Sequence, residues 1–163
     1  MIQIEYLPLV LTGVGLTASI FYYASVLRNA NRNRELQIFM DIFKSISTEE
    51  NQRTWAELLN AEFTDYEDYF NKYDSSINPA HYGKRGSIWW NYNAVGFLLK
   101  KGHISIDVVL DLIGTQAVLL WDKWGEIILQ VRENQNISSY FTGFEYLVNE
   151  IKEYRKVHPE LTR

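Results

Sequence analysis

The side chains able to do chemistry in this chain are few and scattered. His81, His103 and His158 stand alone, each near a loop or a helix end, with no second ligand at metal-binding spacing. A lone loop histidine is ordinarily a solvated side chain or a cap. The chain has no HExxH pair, no glycine-rich phosphate loop and no Gly-x-Ser-x-Gly elbow. It also lacks cysteine, which removes disulfides, thiolate zinc sites and cysteine nucleophiles together. The acidic residues Glu62, Asp65, Glu67 and Asp68 miss the alternating oxygen ligands and central glycine of a calcium loop. They read as a solvated helix face compensating a helix dipole. Asp107 and Asp111 fall one turn apart, as metal-binding carboxylates can, but no Glu-x-x-His partner exists. No catalytic residue, cofactor or metal site is assigned, and the expected protein is not an enzyme.

The unusual residues are aromatic. The chain holds 5 Trp, 11 Tyr and 8 Phe, and the tryptophans include the adjacent pair Trp89 and Trp90 and the spaced pair Trp121 and Trp124. Neighbouring positions on a helix point about 100° apart, so both members of the first pair are buried only under a wide cover. Trp121 and Trp124 share a face. Core packing accounts for both pairs; alternatively one Trp of each pair anchors a partner, since Trp is enriched among interface hot spots. A third reading joins them to Lys84, Arg85, Lys100 and Lys101 in docking against a bilayer surface.

The elements that position these residues begin with an apolar run. Tyr6 to Leu27 contains 22 residues without a charge. As a helix it would extend roughly 33 Å, enough to cross a hydrocarbon core. Pro8 falls in the first turn, where its missing N–H does no harm. Tyr6 at one end and Tyr22 with Tyr23 near the other suit interfacial aromatic belts, and Arg28, Arg32 and Arg34 follow directly. A cleaved signal peptide would have a basic start and a shorter apolar core, whereas Glu5 makes this start acidic. A buried core helix is the other reading, because Thr12, Gly13, Gly15, Thr17, Ser19 and Ser25 dilute the hydrophobicity. The arginines after the span place the C-terminal body in the cytoplasm and the N-terminus outside, and they suit anionic headgroups. The Asn136-Ile137-Ser138 sequon is then unused. Gly15 and Ser19 form a small-xxx-small pair through which a second helix could approach, although such pairs are common by chance.

Residues 29–45 contain no Pro or Gly, and Leu36, Phe39, Ile42, Phe43 and Ile46 recur at helical spacing, so one helix of about forty residues is predicted. Ser47 and Glu50 have capping-box spacing before a second helix. Thr64 is placed to cap a short third helix burying Tyr66, Tyr69, Phe70 and Tyr73. A loop is predicted over 74–86. An apolar helix carrying Trp89 to Leu99 closes at Lys100, Lys101 and Gly102. A long segment from Ser105 or Asp107 reaches Arg132, with Gly114 as an interruption, and Tyr140 to Tyr154 forms the last helix. No segment alternates with period two and no hairpin signal occurs. The predicted fold is all-α: residues 1–27 as transmembrane anchor, 28–46 as juxtamembrane helix, and 47–163 as the helical cytoplasmic domain, a bundle of five to six helices.

The segments RNANRNRELQIFMDIF, LLNAEFTDYEDYFNKY, KKGHISIDVVLDLIG, LLWDKWGEII and FEYLVNEIKEYRK, in this order after a span, resemble an uncharacterised family of short bacterial and archaeal membrane proteins. That family is catalogued only as a domain of unknown function. The resemblance implies an anchor and a helical cytoplasmic body, and it transfers no functional residue.

Charge narrows the partners. Up to Arg34 the chain carries a net +2, and the remainder a net −6. An acidic body is a poor nucleic-acid surface, so no nucleic-acid partner is expected. Membrane lipid is expected, together with other membrane-protein subunits or self-association. The leading functional expectation is a membrane-anchored, non-catalytic interaction or scaffold module, an accessory subunit of a membrane complex. A homo-oligomeric membrane assembly is the first alternative and an unrecognised helical enzyme or ligand sensor the second.

Overall fold

The computed structural model describes residues 7–162, with side-chain placement through residue 160. The described residues contain helices and no strand. Helix α1 spans Leu7–Ile46, α2 Glu49–Leu59, α3 Tyr66–Tyr73 and α4 Pro79–Lys100. Helix α5 covers Ile106–Val109 and passes through a π-helical segment, Leu110–Gly114, into α6, Thr115–Gln135; α7 spans Thr142–Val157, and a 3₁₀ turn follows over Pro159–Thr162. The chain divides into two compact units at Gln37 and Ile38. The body therefore begins inside α1, within the stretch 28–46.

In the first unit every described residue from Leu7 to Arg34 is exposed. By length and composition the helix is long and apolar enough to cross a membrane, and none of its most apolar stretch is buried. A core helix would be mostly buried, and this stretch is not buried within its own unit. The hydroxyls of Thr12, Thr17 and Ser19 donate to the carbonyls of Pro8, Gly13 and Gly15, each at 2.8 Å. These three hydroxyls are thus satisfied within the helix itself.

In the second unit α1 contributes Phe39 and Ile46 to the core, while Leu36, predicted inward, lies before the unit and is exposed. Ser47 donates its backbone N–H to the Phe43 carbonyl at 2.9 Å and so still belongs to the last turn of α1. For that reason the cap of α2 shifts one residue to Thr48, whose hydroxyl accepts from the Asn51 N–H at 3.3 Å. Side chains of α2 then satisfy the open end of α1. Asn51 Nδ2 donates to the Ser45 carbonyl at 2.6 Å and Gln52 Nε2 to the Ile46 carbonyl at 2.9 Å.

Helix α3 is capped by Asp65 rather than Thr64. Asp65 Oδ1 accepts from the Asp68 N–H at 2.9 Å, and Asp68 Oδ2 accepts from the Thr64 N–H at 3.0 Å. This is the reciprocal logic of a capping box. Of the four aromatics predicted inward here, only Tyr69 is fully buried and Phe70 is exposed. The predicted loop over 74–86 ends early, because Asn78 caps α4 by accepting from the His81 N–H at 3.0 Å and Pro79 suits the first helical position. Gly83 and Gly86 are helical as a result. At the other end Gly102 takes φ +72, and the His103 and Gly102 N–H groups donate to Leu98 and Leu99 at 2.9 Å each, a Schellman closure.

The most extensive contact in the body joins α4 and α7. It is a backbone contact: a Cβ on Gly96 would lie 1.8 Å from the Gly143 carbonyl oxygen. Asn93 Oδ1 accepts from the N–H groups of Gly143 and Phe144 at 2.9 and 3.2 Å, so α4 caps α7 across the interface. Beside this crossing Tyr92 stacks on Phe144 with ring centres 5.2 Å apart.

Candidate functional site

The tryptophans separate by burial. Trp89 and Trp124 are 1% and 0% exposed, pack edge to face at 5.5 Å, and Trp124 donates its indole N–H to the Leu58 carbonyl at 3.0 Å. As surface contacts for a partner they are excluded: the body covers both rings completely. Trp121 is half-buried, edge-on to Phe144 at 5.1 Å and folded over Gly125, where an added Cβ would meet its ring at 2.7 Å. Trp90 alone is strongly exposed, at 58%, resting on Phe141 at 4.7 Å. Trp89 and Trp90 part in this way because adjacent positions point about 100° apart and the core covers one side of α4. Trp121 instead shares the inward face of Trp124 and lies at its margin.

Arg85, which the sequence placed with the surface lysines, is 2% exposed and cannot meet a bilayer. Its guanidinium lies 5.0–5.1 Å from the ring centres of Tyr69, Tyr82 and Trp89 and 6.0 Å from that of Trp124 on α6, and it donates to the Tyr73 carbonyl at 3.2 Å. Tyr73 ends α3, so the cation sits at the negative pole of that helix as well as among π faces. No pattern in the sequence marks this cage, since its members come from α3, α4 and α6. His81 stacks on Tyr73 at 4.3 Å. Burial, reinforced by the Arg85 charge, lowers its pKa to about 4, so the ring is neutral near pH 7.

The remaining candidates are tied up structurally. Asp107 accepts from the Tyr154 hydroxyl at 2.7 Å, His158 Nδ1 sits 3.1 Å from a Glu160 oxygen, and Asp68 pairs with Lys72 at 2.8 Å. Asp111 is exposed. Among the described residues no group of three or more His, Asp or Glu converges as a metal site would. An open cleft between α2 and α4 is lined by Glu49, Glu50, Arg53, Thr54, Glu57 and Lys84. Its charges are largely self-neutralised, with Arg53–Glu49 and Lys84–Glu57 each at 2.8 Å.

On the first unit Gly15, Ser19, Tyr22, Tyr23, Arg28, Arg32 and Arg34 are all exposed, and Tyr22 meets Tyr23 edge-on at 5.7 Å. Tyr6 lies outside the described residues. The apolar groove on this helix is lined by Val10, Gly13, Val14, Thr17, Ala18 and Phe21, so its floor is Gly13 and Thr17 rather than Gly15 and Ser19.

A family profile described as a domain of unknown function, DUF4760, matches residues 9–151. The chain belongs to this family. The DUF4760 match takes in the apolar helix as well as the body, so both units fall within one family domain. No curated protein and no solved structure matches the chain.

Proposed function

We propose that this DUF4760 chain is a membrane-anchored, non-catalytic interaction module, an accessory subunit or scaffold of a membrane complex. In this reading the N-terminus is outside and the body cytoplasmic. One observation carries it: an unburied apolar helix runs without a break, from Leu7 to Ile46, into a body whose core is packed with aromatic side chains. Confinement to the bilayer raises the effective concentration of the body near partners in the same membrane. Arg28, Arg32 and Arg34 set the orientation through the positive-inside tendency.

The test is extraction of the native membrane in mild detergent, followed by mass spectrometry of the intact assembly. A heterologous complex is expected; emergence as a lone monomer would refute the subunit reading. Orientation is read separately. Because the chain lacks cysteine, Ser75→Cys on the body supplies a unique thiol. An impermeant maleimide should label it only after the cells are broken. The groove at Gly13 and Thr17 supports a second reading, homo-oligomerisation through the span. Homotypic crosslinking ladders in membranes would select it.

A further inference from the structure

We propose that the outer face of α4 is a bilayer-docking surface that lays the body against anionic lipid headgroups. The inference rests on the anchored reading above and adds a second point of contact with the membrane. At 100° per residue, Tyr82, Trp90, Phe97 and Lys100 fall within an arc of about 80° on α4. Tyr82, Trp90 and Phe97 are 43%, 58% and 54% exposed, large apolar rings left in water on one helix; among the other aromatic residues of the body only Phe70, at 40%, is exposed. Trp90 lies on Phe141, and Tyr140 meets Phe141 edge-on at 4.3 Å, so the patch continues onto the connection before α7.

Charge selects the occupant. The chain holds 20 acidic residues, yet α4 carries no Asp or Glu in its 22 positions, and residues 134–144 carry no charge at all. At the C-terminal end of the face, Lys101 Nζ lies 5.7 Å from the Phe97 ring centre and Lys100 Nζ 5.4 Å from that of Tyr146. Neither lysine is ion-paired among the described residues. Trp and Tyr with lysines beside them, on a helix that itself carries no carboxylate, form the composition that settles at an anionic membrane interface. A protein partner for such a face would need an acidic counterpart of matched shape, whereas the leaflet supplies its negative charge without one.

The test uses the full chain reconstituted in phosphatidylcholine vesicles, with and without phosphatidylglycerol, and with a lipid brominated near the headgroup. Trp90 emission should be quenched in the anionic vesicles, and Trp90→Phe should remove the quenchable component. Lys100→Gln with Lys101→Gln should lower the docked-to-undocked ratio on the order of 20-fold, at about fivefold per lysine. Quenching that is equal in neutral vesicles, or unchanged in Trp90→Phe, overturns the proposal. So does protection of Trp90 that rises with protein-to-lipid ratio, because a second copy would then be the cover. Resistance to carbonate washing reports the anchor independently. A chain that washes off refutes the span, while quenching before the wash still decides the docking face.

Discussion

Replacing Gly96 by Ala sets local and tertiary preference against each other. On helix propensity alone the change should stabilise α4 by about 1 kcal/mol. The structure predicts the opposite sign. The new Cβ would fall 1.8 Å from the Gly143 oxygen, 2.5 Å from the Gly143 carbonyl carbon and 3.1 Å from Leu147 Cβ. The first two atoms are backbone of the facing helix and cannot swing aside, so α4 and α7 must separate. Separation breaks the two hydrogen bonds that Asn93 makes to the start of α7, worth about 1 kcal/mol each. It also opens the packing around Tyr92 and Phe144, at about 1–3 kcal/mol for overpacking. Against the propensity gain, the net loss is about 2–4 kcal/mol. Gly86 is the control, since it lies on the same helix with nothing within 4 Å of an added Cβ. Gly86→Ala should be neutral or gain up to about 1 kcal/mol. Far-UV circular dichroism melts of the full chain in mild detergent measure both, with Gly96→Ala expected about 10 °C or more below the parent. Should Gly96→Ala fail to fold, Asn93→Ala keeps the interface testable, as it deletes both hydrogen bonds for about 2 kcal/mol without inserting an atom. A Gly96→Ala melt at or above that of the parent refutes the close approach of α4 and α7.

Acidification should weaken the body through His81. Its folded pKa of about 4 lies below the ordinary 6.5, so the unfolded chain takes up the proton first. The contribution is complete above pH 6.5 and is lost as pH falls to about 4. The full shift corresponds to about 3 kcal/mol, which solvent around the half-buried ring reduces to about 1–2 kcal/mol. His81→Phe, which keeps the stack on Tyr73, should flatten the stability profile between pH 7 and pH 5 in urea titrations; a parallel profile for variant and parent would count against the assignment. Truncation separates anchor from body. A chain starting at Asn29 should be soluble and folded by size-exclusion chromatography, whereas one starting at Asp41 loses Phe39, 0% exposed, at about 3–5 kcal/mol. Unfolding of the longer chain would show that the apolar helix holds the body together.

Local order was legible wherever one helix carries its own signal. The uncharged run to Leu27, the absence of Pro or Gly over 29–45 and the Lys-Lys-Gly closure at 100–102 each specify structure through neighbours in the chain. Cap positions slipped by a residue, as at Ser47 and Thr64, because several side chains near a helix start can accept the same N–H groups. Asn78-Pro79 read as a loop for a related reason: the same dipeptide serves a turn and a helix start.

By itself, the sequence determined the helical class, the apolar run long enough to span a bilayer, the absence of cysteine chemistry and the aromatic wealth. Only the tertiary structure decided which aromatics are spent on the core. Trp89 and Trp90 are adjacent, yet one is 1% and the other 58% exposed, because the helices packed on α4 cover one side of it and leave the other open. Arg85 and Lys84 are also adjacent, and one is caged by rings from α3, α4 and α6 while the other reaches Glu57 on α2. Periodicity identifies the face a residue occupies. It cannot say whether a neighbouring element arrives to cover that face, and here the cover comes from residues distant in the chain.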